Sequence, residues 1–234
     1  MRPSKPERSL RRRGDPPICN LYRLTTPASA VAQLFDIEPA AGANYKDVVA
    51  PTDPGLIIAG RQLRATAWGF PRVDISKVTG QPLKPRAVYN TRTERIGSRF
   101  WRASFAHRRC LIPVNAWAEP EGQEGAMTRT WFSPPDLDIF AIAGIWQRSA
   151  EWGHVFSMLM VPGHQAMADL NDRMPVILRS KDWTTWTEGS PIAALALCRS
   201  WEEGLVREPC DESWSSELRI DKDPAKSRQL SLPL

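Results

Sequence analysis

The stretch RCLIPVNAWAEP, Arg109 to Pro120, is a long, largely apolar segment with a single carboxylate, Glu119, near its end. Its branched and aromatic residues favour a β-strand. Glu119 would then stand where the strand leaves the core. Taken alone, this carboxylate has a plain structural explanation, because acidic side chains commonly mark the exit of a strand into solvent. The segment therefore predicts a buried strand that ends in one acidic group.

Further strands are predicted on both sides of this segment. QLRATAWGF alternates apolar and polar residues with the period of two that is typical of a half-buried strand. The other candidates are rich in apolar, β-branched or aromatic residues: LIIA, TRTWFS, DIFAIAGIW, HVFSMLMVP and MPVIL.

Short helices are predicted between the strands. TTPASAVAQLFDIEP indicates a helix capped by Thr26, with Pro27 at its first position and Val31, Leu34 and Phe35 facing inward. GHQAMADL and SKDWTTWTEG are also predicted as helices, whereas AALALC fits either a strand or an apolar helix. Because regular alternation of strands and helices is missing, the pattern favours a single α+β domain with a mainly antiparallel, barrel-like β core and short peripheral helices.

The composition narrows the class of protein. The chain has 234 residues, of which 42% are apolar, and no long apolar run. These values predict a soluble globular protein without membrane segments. The formal charge of +5 is concentrated at the start, where residues 1–17 hold six basic and two acidic residues, a surplus of four that leaves only +1 for the rest. The total charge is therefore no evidence for DNA binding.

A local cluster of positive charge is more informative. Residues 84–109 hold eight basic residues against one acidic residue, Glu94. Arg92, Arg95, Arg99 and Arg102 have the spacing of one helix face. Such a face is most often simply solvated, but the neighbouring Phe100 and Trp101 also suit a single-stranded DNA site that combines cations with aromatic side chains.

The cysteines and histidines exclude several kinds of site. The four cysteines show no CxxC spacing, which argues against zinc. Without a secretory signal, reduced thiols in a cytoplasmic protein are expected. The three histidines, His107, His154 and His164, are each assigned structural or surface roles, so a Cys–His protease is poorly supported. No cofactor or metal is expected.

Several short motifs together resemble one family. In chain order they are CNLYR from Cys19, WGF from Trp68 to Phe70, NTRTE from Asn90, RCLIPVNAWAE, and DRMPVIL from Asp172. This order resembles the SRAP family, the SOS response-associated peptidase-like proteins that crosslink to abasic DNA. The resemblance covers residues 19–214. It implies an SRAP-type domain over these residues, a basic disordered leader over 1–18 and a polar tail over 215–234.

The resemblance also implies a chemistry. In this family the cysteine becomes the first residue, and its α-amine and thiol together trap the aldehyde of an abasic site as a thiazolidine. By resemblance, Cys19, Asn90, Glu119 and Asn171 occupy catalytic positions. Arg92 and Arg173 match arginines that hold phosphates, and Trp68 and Phe70 lie where the family places apolar contacts around DNA. The implied partner is single-stranded DNA with abasic sites, bound by a monomer in the cytoplasm or nucleoid.

Two departures from the family pattern define the alternatives. The family usually has histidine where this chain has Asn171, which cannot exchange a proton near neutral pH, so impaired crosslinking is expected. Cys19 also follows 18 residues, with Ile18 in the position of an initiator methionine. A misassigned start is preferred over cleavage of a leader or a chain that cannot crosslink. The alternatives are a noncovalent single-stranded DNA binder and a thiol peptidase that removes its own leader.

Overall fold

The computed structural model describes residues 21–38 and 44–214. The expectations about Cys19, the leader and the tail therefore lie outside the described residues. Strands dominate the described part: β1 (Leu21–Arg23), β2 (Val48–Val49), β3 (Pro54–Ala59), β4 (Gln62–Trp68), β5 (Phe70–Arg72), β6 (Arg86–Val88), β7 (Asn90–Arg92), β8 (Arg109–Val114), β9 (Ala116–Glu121), β10 (Thr128–Ser133), β11 (Phe140–Ser149), β12 (Gly153–Pro162), β13 (Arg173–Pro175), β14 (Ile177–Leu178) and β15 (Val206–Ser213).

Helices are short and lie between the strands. The α-helices are α1 (Ala28–Leu34), α2 (Arg102–His107), α3 (Trp183–Glu188) and α4 (Pro191–Ala196), and 3-10 turns occur at Thr93–Arg95, Gln165–Met167 and Ser180–Asp182. No helix in the described ranges has the length and apolar character needed to cross a bilayer.

Five strands close into a barrel. β12 pairs with β4, β4 with β3, β3 with β8, and β8 with β11, which pairs back onto β12. The main core is built largely from these strands and includes the fully buried Ile112, Ile142 and Phe156. Burial of each such side chain stabilises the fold by about 1.5–3 kcal/mol. A Cβ atom at Gly144 would lie 2.8 Å from Cys110 Sγ, so glycine allows β8 and β11 to pack this closely.

A second, antiparallel sheet lies beside the barrel, with strand order β15-β10-β9-β1-β2. The two sheets share one continuous segment, because β8 of the barrel passes through Asn115 into β9 of the second sheet. Asn115 fixes this passage: its backbone N–H donates to Arg23 O at 2.8 Å, and its side-chain oxygen accepts from Thr25 N at 2.8 Å. The segment that was predicted as one strand is therefore two strands that serve two sheets.

The fold prediction is confirmed: the described chain is a single, mostly β domain with a mainly antiparallel, barrel-like core and few short helices. AALALC falls largely in α4, where Ser190 Oγ caps the helix by accepting from Ala193 N at 3.2 Å. The prediction for α1 was partly wrong. Pro27, not Thr26, occupies the N-cap position, and Leu34 is 51% exposed because the short helix turns Val31 and Ala32 inward.

The prediction that four arginines share one helix face is also wrong. Arg92 lies on β7, Arg95 in a 3-10 turn, Arg99 in a turn and Arg102 at the start of α2. The pairing of β7 with β12 holds Arg92 in an extended conformation, which the spacing of charges in the sequence cannot reveal. Arg95, Arg99 and Arg102 are nevertheless exposed, so the segment still presents a basic surface.

Candidate active site

Glu119 is a completely buried carboxylate near the end of β9. β9 holds it in register between β1 and β10, with Thr130 as its direct partner on β10. Its Oε2 accepts a hydrogen bond from Asn171 Nδ2 at 2.8 Å. A buried carboxyl group needs such polar partners, because its transfer out of water is otherwise costly. The structure thus brings together two of the residues that were predicted as catalytic.

Asn171 belongs to a tight loop between β12 and β13. Its backbone N–H donates to Met167 O at 2.9 Å, and its side-chain Oδ1 accepts from Arg173 N at 3.1 Å. These partners fix the orientation of the amide, since the carboxylate of Glu119 can only accept and the N–H of Arg173 can only donate. A Cβ atom at Gly163 would lie 2.9 Å from Asn171 O, so the loop also depends on the absence of a side chain there.

Arg92 and Arg173 lie on the two strands that flank the C-terminal half of β12. Met160 has Arg92 of β7 as its partner on one side and Pro175 of β13 on the other. Arg173 NH1 donates to Glu94 Oε1 at 2.6 Å, which joins the two sides. Burial pushes the pKa of Glu94 up, but the hydrogen bond from Arg173 and the charges of Arg173 and Arg92 together hold it below its usual value.

The region around Arg92 and Arg173 keeps a net positive charge. Arg173 is 16% exposed and shares its charge with Glu94. Arg92 makes no ion pair within the described ranges. Glu94 therefore orients Arg173 while the pair of arginines keeps a net positive charge. A planar guanidinium in a fixed position suits bidentate contact with a phosphate group.

Asn90 starts β7 and is held by the backbone around it. The preceding carbonyl, Tyr89 O, accepts from Trp68 Nε1 at 2.9 Å and from Ser157 Oγ at 3.0 Å. The next residue, Thr91, bonds to Ser157 through its hydroxyl at 2.8 Å. Asn90 itself is half-buried. These contacts attach Asn90 firmly to β12. Asn90 itself lies on β7, the same strand as Arg92.

Trp68 and Phe70 do not have the role that the resemblance implied. Both side chains have 0% exposure and belong to the main core. Trp68 packs against Tyr22 and Phe156, and Phe70 against Phe100 and Trp101. A side chain without accessible surface cannot contact DNA in this conformation. Trp68 instead fixes the backbone next to Asn90, through its hydrogen bond to Tyr89 O.

Cys19 lies outside the described residues, but the described chain begins close to the site. Leu21, the first described residue, is paired with Ala118, the residue directly before Glu119. The described chain therefore starts beside the strand that carries Glu119.

Four charged residues that were assigned no role also belong to this region. Arg207 on β15 donates to Asp169 Oδ2 at 2.9 Å and to Glu121 Oε1 at 2.8 Å. Asp169 is on the loop of Asn171, and Glu121 ends the strand of Glu119. Glu94, the fourth residue, could have been noticed within the NTRTE motif. The Arg207 pairing had no signal in the sequence, because it depends on β15 lying beside β10.

The histidines occupy structural positions where contacts are seen. His164 accepts from Ala166 N at 3.0 Å and so caps a 3-10 turn, and His154 packs edge-on against Trp146. In the described ranges, no three His, Cys, Asp or Glu side chains are grouped in a way that could hold a metal ion. The arrangement at Glu119 is one of hydrogen bonds and fixed charges, suited to proton transfer and to binding an anionic strand.

Comparison with protein families confirms the resemblance in the sequence. The family model described as SOS response associated peptidase (SRAP) matches residues 18–211, which include every residue assigned to the site. No protein with a curated description matches the chain.

Solved structures share the fold. A protein from Bordetella bronchiseptica is 23% identical, with a TM-score of 0.65 over 82% of this chain and 99% of its own. A protein from Bacteroides thetaiotaomicron is 16% identical, with a TM-score of 0.68 over 92% of this chain and 100% of its own. A phage-related protein from Bordetella bronchiseptica is 19% identical, with a TM-score of 0.62 over 83% and 95%. At these identities the likeness concerns the fold alone.

Proposed function

The chain belongs to the SOS response associated peptidase family, and from this premise we propose that it protects damaged DNA by forming a covalent crosslink to abasic sites. The proposed substrate is single-stranded DNA that contains an abasic site. The proposed nucleophile is Cys19, acting as the first residue of the active chain. In that position it carries an α-amine beside its thiol, a combination that no internal residue offers.

The proposed reaction proceeds in two covalent steps. The neutral α-amine, with an ordinary pKa of about 8, attacks the aldehyde carbon of the opened sugar, and loss of water leaves an imine. The thiol of the same residue then adds to the imine carbon. Its proton passes to the nitrogen, and a five-membered thiazolidine closes. The second step is intramolecular and therefore benefits from a high effective concentration.

The single observation that carries the proposal is the hydrogen bond of 2.8 Å from the half-buried Asn171 to the buried carboxylate of Glu119, beside the strand that begins two residues after Cys19. A carboxyl group in this position can take a proton from the attacking amine and return it to the leaving hydroxyl. The amide of Asn171 can orient the opened sugar by hydrogen bonding. We assign Asn90 to the same task from the opposite side, on β7.

The charged residues fit the recognition of a strand. Arg92 and Arg173 flank β12, and Glu94 orients Arg173. We assign both arginines to the phosphates on either side of the lesion, because phosphate contacts fix the register of a nucleic acid without reading its sequence. Trp68 and Phe70 take no part in this proposal, since both are buried.

The test is denaturing gel electrophoresis after incubation with an abasic oligonucleotide, in which only a covalent adduct stays with the DNA. A chain that begins at Cys19 is expected to give the adduct. A chain that retains residues 1–18 is expected to give none, because its Cys19 nitrogen is an amide and cannot form an imine. Cys19→Ala in the shortened chain is the matched control. Equal yield from a full-length chain whose N-terminus is intact by mass spectrometry would contradict the proposal.

A noncovalent single-stranded DNA binder is the second candidate. One observation favours it: the position that faces Glu119 is held by an amide, which cannot supply a proton near neutral pH. In that case the chain that begins at Cys19 would bind the oligonucleotide in a native gel and leave no adduct in the denaturing gel. Removal of residues 1–18 by the purified full-length chain itself would instead identify the self-cleaving peptidase.

A further inference from the structure

We propose that the hairpin of β5 and β6, residues 70–88, is a DNA-binding arm that contacts the strand beyond the lesion. We refer to it as the β5–β6 arm. The inference rests on the proposed function only in taking DNA as the partner, since it requires no covalent step. It extends the binding surface from the two arginines beside β12 to an element that the motifs include only at its first residue, Phe70.

The root of the β5–β6 arm is fixed next to the candidate site. The arm leaves the barrel directly after Trp68 and returns at Tyr89, one residue before Asn90. Gly69 N donates to Phe156 O at 2.8 Å, which ties the root to β12. Gly69 has φ +134°, and a Cβ atom there would lie 2.7 Å from that of Ala87. Only glycine fits this crossing, so the arm has a defined direction from the site.

A second anchor joins the arm to the exposed arginines after β7. Phe70, at the base of the arm, packs on Trp101 with ring centroids 5.0 Å apart and on Phe100 at 6.1 Å. Both aromatic residues lie within the segment that exposes Arg95, Arg99 and Arg102. In the described part of the chain these three arginines make no ion pair. The arm and this segment therefore form neighbouring parts of one basic surface.

The charge of the arm favours an anionic partner. Residues 70–88 contain four cationic side chains and one carboxylate, a surplus of three positive charges. Asp74 accepts from both Arg72 at 2.9 Å and Arg86 at 2.7 Å, and these hydrogen bonds hold its pKa below the usual value. Lys77 and Lys84 are exposed and have no ion pair among the described residues. Two free ammonium groups thus add to the one positive charge that remains on Arg72, Arg86 and Asp74 together.

The arm also exposes an unusual amount of apolar surface. Val73, Ile75 and Leu83 are about half exposed, and Val78 at the turn is 94% exposed. A two-stranded hairpin alone is only marginally stable in water, and contiguous exposed apolar side chains commonly mark a binding surface. Aliphatic side chains of this kind pack against or between bases in many DNA complexes.

A strand of DNA fits the arm better than a second copy of the chain. Two arms packed together would bring two surpluses of three positive charges into contact, and like charges across an interface oppose association. A single strand offers phosphates for Lys77 and Lys84 and exposed bases for the aliphatic side chains. The anchors at Gly69 and Phe70 join the arm to β12 and to the segment that exposes Arg95, Arg99 and Arg102.

The test uses an undamaged single-stranded oligonucleotide and fluorescence anisotropy between 50 and 200 mM salt. Lys77→Ala with Lys84→Ala is expected to lower the slope of log affinity against log salt by about 1.4, because each lost phosphate contact removes about 0.7. Over this range the parent would lose about 7-fold more affinity than the variant. Val78→Ser is expected to weaken binding at every salt concentration with the slope unchanged.

Arg61→Ala with Lys181→Ala is the matched control, since it removes the same charge. Arg61 precedes β4 and so lies at the opposite end of that strand from the arm. Unchanged slopes in the arm variant, or equal changes in the control, would overturn the inference. The inference would also be overturned if the parent sediments as a dimer while the Val78→Ser variant is monomeric and binds DNA as the parent does. A lowered slope in protein that never crosslinks would support the arm while the covalent proposal fails.

Discussion

In the proposed reaction, the amide of Asn171 stands where a titratable side chain would act on the opened sugar. Its hydrogen bond to Glu119 is 2.8 Å long, so an imidazole at this position could donate to the same carboxylate oxygen. Asn171→His is expected to speed adduct formation by the chain that begins at Cys19 about 10-fold. Acid–base assistance is typically worth about 10²-fold or more, but Asn171 already supplies part of the benefit by orienting the sugar through hydrogen bonds.

The measurement is single-turnover crosslinking between pH 5 and 8. The histidine variant should show a dependence on pH near its ordinary pKa of about 6.5 that the parent lacks. Asn171→Gln serves as a control that changes the side chain without adding a titratable group. Superimposable rate profiles for the parent and the histidine variant would mean that this position transfers no proton.

Arg109 is a buried residue that stabilises the fold without belonging to the site. Its NH1 donates to Phe105 O at 2.8 Å and Ala106 O at 3.1 Å at the end of α2, and its Nε and NH2 donate to Trp186 O and Gly189 O at the end of α3. Burial lowers the pKa of its guanidinium. Because carbonyls at helix C-termini lack partners within the helix, one cation here caps two helices.

Arg109→Met is therefore expected to lower the free energy of unfolding by about 3 kcal/mol, since several buried carbonyls lose a charged donor. Urea denaturation followed by tryptophan fluorescence measures the change. Arg102→Met, an exposed position at the start of α2, is the control and should stay within about 0.5 kcal/mol of the parent. Similar midpoints for the two variants would contradict the capping role.

On the scale of elements, β15 connects two parts of the candidate site. Arg207 joins the loop of Asn171 through Asp169 and the end of β9 through Glu121. The hydrogen bond to Asp169 and the charge of Glu121 raise its pKa, so the guanidinium is always charged. Since both carboxylates are partly exposed, the pairs add little to stability. Their effect is to hold the loop against β9.

Arg207→Met is expected to slow single-turnover crosslinking several-fold while the unfolding midpoint changes little. Arg207→Lys should restore only part of the rate, because an ammonium group cannot reproduce the fork that spans two carboxylates. Arg179→Met, which breaks the exposed pair with Glu203, is the control for loss of a surface ion pair. A rate loss that merely follows a fall in stability would contradict a positioning role.

The positions of the strands were easier to predict than the strands with which they pair. Alternation and branched residues identified QLRATAWGF and DIFAIAGIW, which are β4 and β11. The division of RCLIPVNAWAE at Asn115 was missed, because it depends on hydrogen bonds to Arg23 and Thr25, far away in the sequence. The supposed helix face of arginines failed for the same reason, since β7 is defined by its pairing with β12.

The candidate site was predictable only as far as its motifs extend. Glu119, Asn171 and Arg173 were named from short matching stretches, and the structure places them in contact. Trp68 and Phe70 were misassigned because a motif gives the identity of a residue but not how deeply its side chain is buried. Both side chains are buried. Arg207 was missed because β15 carries no motif and reaches the site only through the second sheet.

For the whole molecule, burial decides which thiols can react. Burial raises the pKa of Cys198 to about 12 and that of Cys110 further still. A raised pKa means a smaller thiolate fraction at any lower pH, so at pH 8 only about 10⁻⁴ of Cys198 would be the reactive thiolate. Cys210, on β15, is half-buried and not enclosed by the barrel.

Alkylation with iodoacetamide at pH 8, followed by mass spectrometry, should therefore modify Cys210 well before Cys110 and Cys198 in the folded chain. In denaturant all three should react at similar rates, which provides the control. Equal labelling of Cys110 and Cys210 under native conditions would show that the barrel opens on the timescale of the experiment.

The parallel pairing of β12 has a consequence for how the protein is made. Val155 pairs with Ala67 and Met158 with Asn90, so the ring joins residues that are synthesised far apart. Such distant contacts slow folding, because the chain must lose the entropy of a long loop before any contact forms. β3 can pair with β4 and β8 before β12 is made, but during translation β4 keeps one unpaired edge until β12 has left the ribosome. A nascent chain that stalls before Gly153 has neither a closed ring nor a partner for the strand of Asn90 and Arg92.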